Sequence, residues 1–321
     1  MSYPQNTFEL RVVFDPGSKS AKQNKVRFME WLSAHGIDEF VEGVMDGLDI
    51  DHEYTGPNER DFYAELGGDL LPVSVYKYSR ELLEDLKLKI ERDFPAGVTA
   101  TVHAMETSEW LEGWKESFKP IETQKFYIYP PWDKAAIPTD KIPLLIEPGM
   151  AFGTGQHATT QVVLQRLEAL VAGGAPIRSW RCMDVGTGTG ILALAAHKVG
   201  FKTVAASDID PDAVTAALNN AKLNQISLSV WQGSSPIRGV EGKLEFEPPF
   251  DVVIANILFV VLQKIIGDLA LITKANGLLI LSGVLVEDAN EMTKLATAEG
   301  LTLIDQGSLE GWSCLTFKKV K

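Results

Sequence analysis

The sequence predicts two domains in series. A small α+β domain precedes an α/β domain whose mostly parallel sheet is covered by helices on both faces. Three observations lead there. The first hundred residues alternate strand and helix signals in the order β-α-β-β-α-β, the split unit of ferredoxin-like folds. From Trp180 onward, short apolar runs alternate with helical patterns, which implies a parallel sheet closing on an antiparallel hairpin. Between the first of these strands and its helix lies Gly186-Thr-Gly188-Thr-Gly190, and the next strand ends at Asp208.

Size and composition suit this reading. The chain has 321 residues, 45% of them hydrophobic and 23% charged, enough for two cores. No apolar run approaches the length of a membrane span. The opening Met-Ser-Tyr-Pro-Gln-Asn-Thr lacks the basic and apolar regions of a secretory leader, so a cytoplasmic protein is expected. Cys182 and Cys314 sit in strand-like apolar runs and read as buried free thiols. The net charge is −13, and residues 1–105 carry −8 of it, from 11 basic and 19 acidic side chains. Such a balance repels nucleic-acid phosphates and favours a basic partner.

In the first domain, residues 1–105, Phe8 to Phe14 reads as a strand and Ser20 to His35 as a helix ending at Gly36. Phe40 to Met45 and Leu71 to Tyr78 follow as strands, Arg80 to Phe94 as a leucine-spaced helix, and Val98 to Met105 as the last strand. Asp38 to Glu65 holds ten acids and one base, Arg60. A solvated loop accounts for such a run, as does a surface that steers a Lys-rich substrate. His35, His52 and His103 stand singly, without metal-ligand spacing.

Residues 106–141 read as a connector. Trp110, Trp114 and Phe118 recur every four residues, placing three aromatics on one helical face. Phe126 to Tyr129 is a short strand ended by Pro130-Pro131, and a polar loop leads to Ile142.

Residues 142–321 carry the chemistry. Trp180 to Val185 runs into the Gly186–Gly190 turn and then a helix, so backbone N–H groups gather at a helix N-terminus. The spacing is G-x-G-x-G, not the G-x-G-x-x-G of dinucleotide sites. Asp184 precedes the turn, where its carboxylate meets a cationic or amine group. Asp208 ends the second strand and suits a ribose diol, since a carboxylate accepts both hydroxyl hydrogens. Asp210-Pro211 starts the next helix. A ribose and amino-acid site without a pyrophosphate points to S-adenosyl-L-methionine. Later strands are Leu228 to Trp231, Asp251 to Ala255, Leu278 to Ser282, and the hairpin of Leu301 to Gln306 with Ser313 to Lys318. Asn256 closes the fourth, and its amide suits a substrate amine or the methionine end of the cofactor. Glu247-Pro-Pro-Phe250 looks like an amino-methylation signature but precedes its strand and lacks the Asn, so it reads as a turn.

An earlier Gly-rich loop, Glu147 to Thr160, narrows the reading. Pro148-Gly149-Met150-Ala151-Phe152-Gly153-Thr154-Gly155 with His157 and Thr159-Thr160 resembles the PrmA family of ribosomal protein methyltransferases. Glu109-Trp110, Trp114 to Pro120, Asp184 to Leu192, Asp208 to Pro211, Ala255 to Leu258 and Leu281 to Leu285 extend the likeness. Glu147, Gln156 and Ala158 depart from the usual Asp, Thr and Pro, and Gly311-Trp-Ser-Cys314 from the usual acidic-Trp-Cys ending.

The resemblance implies a class I S-adenosylmethionine-dependent methyltransferase with a Rossmann-like sheet of seven strands. It implies cofactor contacts at Thr160, Gly186, Asp208 and Asn256, beside Asp184, Gly188, Gly190, Gly153 and Gly155 of the two loops. Phe152 and Thr154 are expected on the substrate side with Asn256, and His157 in a structural role. The acceptors implied are lysine and N-terminal amines of a basic large-subunit ribosomal protein, free or on the ribosome, captured by the first domain. A monomer with no direct nucleic-acid contact is expected. Two alternatives stay open: another protein lysine, such as that of an electron-transfer flavoprotein subunit, and a non-catalytic ribosome-binding module. Methyl transfer to nitrogen needs a neutral amine, and a free lysine is deprotonated in only about one molecule in a few thousand at neutral pH. Desolvation and alignment, with no obligatory general base, meet that need.

Overall fold

A computed structural model describes residues 5–35, 37, 40–42, 70, 72–107, 119–148, 153–234 and 248–320. Most of the acidic run, the aromatics Trp110, Trp114 and Phe118, and Phe152 lie outside the described residues. The chain forms two compact units, Met1–Phe118 and Lys119–Lys321.

The first unit has a four-stranded sheet formed by β1 (Asn6–Phe14), β2 (Val41–Glu42), β3 (Val73–Lys77) and β4 (Val98–Glu106). Its order is β2-β3-β1-β4, and every neighbouring pair is antiparallel. Helices α1 (Ala21–Ala34) and α2 (Arg80–Asp93) complete the β-α-β-β-α-β sequence. Alternation along β1 buries Leu10, Val12 and Phe14 with Phe28 and Leu32 of α1 and Leu83, Leu86 and Ile90 of α2. The residues between them, Glu9 and Arg11, are also buried, and Glu9 accepts the hydroxyl hydrogens of Ser74 at 2.6 Å and Tyr76 at 3.0 Å. Ser79 caps α2 by accepting the Leu82 N–H at 3.3 Å.

The second unit begins with β5 (Ile121–Glu122), β6 (Phe126–Tyr129) and β7 (Ile142–Leu145), a small sheet in which β6 and β7 run parallel. Pairing of β6 with β7 joins residues on both sides of 141 in one sheet. Helix α3 (Ala158–Ala172) leads to the main sheet: β8 (Arg181–Val185), β9 (Thr203–Asp208), β10 (Ser229–Gln232), β11 (Phe250–Asn256), β12 (Thr273–Leu285), β13 (Leu301–Leu309) and β14 (Trp312–Lys319). Helices α4 (Ile191–Val199), α5 (Pro211–Leu223), α6 (Phe259–Ile272) and α7 (Ala289–Ala298) connect them.

The sheet order is β10-β9-β8-β11-β12-β14-β13. Six strands run in the same direction, and β14 inserts antiparallel between β12 and β13. Seven strands in an α/β layer arrangement agree with the fold class expected. Both faces are apolar, as a parallel sheet requires. Val252, Ile254 and Ile280 pack with α3 and α4, while Val253, Ala255 and Leu281 pack with α6 and α7. Chain order reverses between β8 and β11, which opens a crevice at the carboxyl ends of these strands.

Two elements differ from the sequence expectation. The fifth strand runs Thr273–Leu285, longer than Leu278 to Ser282, because Thr273 pairs with Phe250 across a bulge. Helix α3 was not anticipated, although Val162, Val163, Leu164 and Leu167 are buried at helical spacing. Among the described residues, no helix is long and apolar enough to cross a membrane, and no group of His, Cys, Asp or Glu could hold a metal ion.

Gly283 occupies the left-handed region at φ 81°, and a Cβ there would lie 2.3 Å from the Ile257 carbonyl oxygen. Gly300, at φ 78°, has nothing within 4 Å of its Cβ position. In urea denaturation, Gly300→Ala should cost about 1 kcal/mol and Gly283→Ala about 3 kcal/mol or more. Equal costs would show that the contact with Ile257 is not limiting.

Candidate active site

The second Gly-rich loop is held open by backbone conformation. Gly186, Gly188 and Gly190 have φ values of 71°, 54° and 83°, where a side chain is strained. A Cβ on Gly186 would stand 2.7 Å from two side-chain carbons of Ile257. The turn therefore presents bare backbone at the start of α4.

Two carboxylates flank it. Asp208, at the end of β9, accepts the Gly188 N–H at 2.9 Å on one oxygen and the Asp210 N–H at 3.0 Å on the other. These bonds orient both oxygens and leave lone pairs for further donors. Burial raises its pKa, and the backbone donors oppose that rise. Asp184 in β8 is fully buried. One oxygen accepts the Thr187 hydroxyl at 2.6 Å and the Ala193 N–H at 3.2 Å, and the other has no partner. Burial pushes this carboxyl up to about 7, with Asp208 adding to the rise and the two hydrogen bonds opposing it.

Asn256 closes β11 in register with Ser282 of β12. Its Nδ2 donates to Thr160 Oγ1 at 3.4 Å, and its Oδ1 is buried without a partner. Thr160 is fully buried in the first turn of α3, so the first Gly-rich loop delivers a hydroxyl to the crevice. An unsatisfied buried oxygen costs about 1–3 kcal/mol, so Asp184 Oδ1 and Asn256 Oδ1 mark where ligand donors belong.

Other expected residues divide. Gly153 meets the second loop, its carbonyl accepting the Thr189 hydroxyl at 2.5 Å, and Thr154 beside it is half-buried. Gly155 is buried, and its Cβ position lies 3.2–3.4 Å from side chains of Ile191, Ile121 and Ile128. Phe152 lies outside the described residues. His157 caps α3 by accepting the Thr159 N–H at 3.3 Å on Nδ1, and its ring meets Trp312 edge-on at 5.2 Å. Burial lowers its pKa. Sequence reasoning passed over Thr187, Thr189, Asn220 and Ser282. All four are buried polar residues that fasten the loops, and only Asn220 stands outside a motif visible in the sequence.

These groups fit S-adenosylmethionine. Asp208 suits the ribose hydroxyls, the Gly186–Gly190 backbone allows close approach, and the unpartnered oxygens of Asp184 and Asn256 can each accept from an amine or ammonium N–H. The sheet order, the crevice at its switch point and this donor set define a class I S-adenosylmethionine-dependent methyltransferase. A family model described as ribosomal protein L11 methyltransferase (PrmA) matches residues 66–320. The chain belongs to that family.

A Citrifermentans bemidjiense protein named ribosomal protein L11 methyltransferase is 33% identical over 294 residues, which are 88% of this chain and 92% of the relative. One of the same name from Geobacter sulfurreducens is 39% identical over 220 residues, 68% of this chain and 69% of the relative. The crystal structure of a ribosomal protein L11 methylase from Lactobacillus delbrueckii subsp. bulgaricus superposes with a TM-score of 0.56 at 28% identity. It covers 64% of this chain and all of its own.

The Asp184 carboxyl is neutral below about 7 and charged above it. A ligand bearing a sulfonium and an ammonium selects the charged form, so its affinity should rise with pH through that value. Calorimetric titration of S-adenosylmethionine at about pH 6 and about pH 7.5 should show tighter binding at the higher pH. Asp184→Asn should flatten the difference; an unaltered pH dependence in that variant would assign it to another group.

Proposed function

We propose that this enzyme methylates amines of a basic large-subunit ribosomal protein of the L11 type, on lysine side chains and the N-terminus. The relatives' names support that acceptor, as does the charge of −8 on residues 1–105. The first domain, residues 1–105, captures the acceptor, residues 106–141 link it to the methyltransferase domain, and residues 142–321 carry out transfer. The protein works in the cytoplasm as a monomer, without direct contact to nucleic acid.

The observation that carries the chemical assignment is the buried, unpartnered Oδ1 of Asn256. Bound in the crevice, S-adenosylmethionine supplies a methyl group activated by the sulfonium charge. Asp208 holds the ribose, while Asp184 and the Gly186, Gly188 and Gly190 backbone hold the amino-acid end. Thr160 sets the Asn256 amide with its oxygen as acceptor, so the oxygen receives an N–H of the incoming amine and aims the lone pair. Gly153 and Thr154 belong to the substrate side, where the family resemblance also assigns Phe152. Excluding water there favours the neutral amine, since desolvation lowers an ammonium pKa. The proton leaves to solvent before transfer, and no side chain acts as obligatory base.

Mass spectrometry of recombinant L11 incubated with the enzyme and S-adenosylmethionine tests this. Methyl-sized mass increments are expected on lysine-containing or N-terminal peptides. Asn256→Ala should lower turnover by about tenfold or more while the fold survives. Unmodified L11 would remove the acceptor assignment, and wild-type turnover in Asn256→Ala would remove the role of the amide.

A further inference from the structure

The two Gly-rich loops leave different strands, β7 and β8, and are joined by hydrogen bonds through α5. Asn224 accepts the Leu145 N–H at 3.1 Å and donates to the Leu145 carbonyl at 2.6 Å, imitating a neighbouring strand. One turn earlier, Asn220 accepts the Glu147 N–H at 2.9 Å and donates to the Thr189 carbonyl at 3.0 Å. The Thr189 hydroxyl then donates to the Gly153 carbonyl at 2.5 Å. Asn220 is 1% exposed and Thr189 fully buried, so water cannot replace these partners. The approach at Gly153 needs glycine: its φ is 100°, and a Cβ would lie 3.0 Å from Thr189 Oγ1.

The chain of contacts continues to the cofactor side. Gly188, next to Thr189, donates its N–H to Asp208 at 2.9 Å. Asp208, Gly188, Thr189 and Gly153 thus form a continuous path from the ribose carboxylate to the first loop. The first loop is gripped at its entry by α5 and farther along by Thr189, and both grips end on the cofactor loop.

We propose that Thr189 and Asn220 are positioning residues, which hold the first loop in register with the cofactor loop so that a bound cofactor meets a fixed substrate-side wall. This rests on the methyltransferase reading and adds residues that touch neither reactant. Neither hydroxyl nor amide is left over for a ligand: each group is spent on backbone. Their removal should therefore disturb transfer more than cofactor binding.

Thr189→Val keeps the shape and removes the hydroxyl, while Thr189→Ser keeps the hydroxyl. In full-length protein with L11 as acceptor, Thr189→Val should lower kcat about tenfold while the Kd for S-adenosylmethionine stays within about twofold. Thr189→Ser should restore kcat to within about twofold of wild type. Hydrogen exchange, which needs no acceptor, should show faster exchange of peptides covering 153–160 in Thr189→Val, with peptides covering 203–208 unchanged. An unchanged kcat, a parallel loss of cofactor binding, or failure of serine to rescue would each overturn the proposal. An inactive wild type would instead overturn the choice of acceptor, and the exchange experiment would then decide the positioning role alone.

Discussion

The close approach of three strand ends around Ile257 is the constraint on which the site depends. Ile257 follows Asn256 at the end of β11. Its side chain fills the space a Cβ would need at Gly186, just after β8, and its backbone fills the corresponding space at Gly283, near the end of β12. Its N–H donates to the Ser282 carbonyl at 3.2 Å, continuing the β11–β12 pairing past the sheet edge. A chain with side chains at 186 and 283 could not close here. The two glycines are thus a packing requirement as well as a ligand requirement. Their consequence is that Asn256 has little freedom: it is fixed by its own strand, by Ile257 behind it and by Thr160 in front.

Electrostatics follows from that closure. Packing β8 between β9 and β11 leaves Asp184 with no solvent and only two donors, both on one oxygen. Asp208, one strand away, is held by backbone N–H groups from its own turn and from the Gly-rich loop. The fold therefore carries two acids at neighbouring strand ends, each with its pKa raised by burial.

Much of this was legible in the sequence because its signals are local. The Gly186 to Gly190 turn, Asp208 and the Asp210-Pro211 helix start lie within 26 residues of one another, and each states its own backbone conformation. Asn256 was legible as a polar residue terminating a strand of Val, Ile and Ala. Helix α3 carries its apolar spacing in the sequence, but the Gly-rich loop before it holds the stronger local signal. Asn220 and Asn224 were not legible as fasteners. Their partners lie 73 and 79 residues away, and an amide in a helix looks the same whether it faces water or a buried strand. The surroundings of Gly155 were not legible either: its Cβ position faces Ile191, Ile121 and Ile128, which come from three separate elements.

The central claim is that the strand ends around Ile257 present Asn256 Oδ1 as the acceptor facing the reacting centre. A crystal structure of the full chain with S-adenosylhomocysteine tests it most directly. Ribose hydroxyls are expected on Asp208 and a ligand or solvent donor within hydrogen-bonding distance of Asn256 Oδ1, with Nδ2 still on Thr160. A nucleoside bound away from β8 and β9, or an Asn256 oxygen still without a donor in the complex, would contradict it.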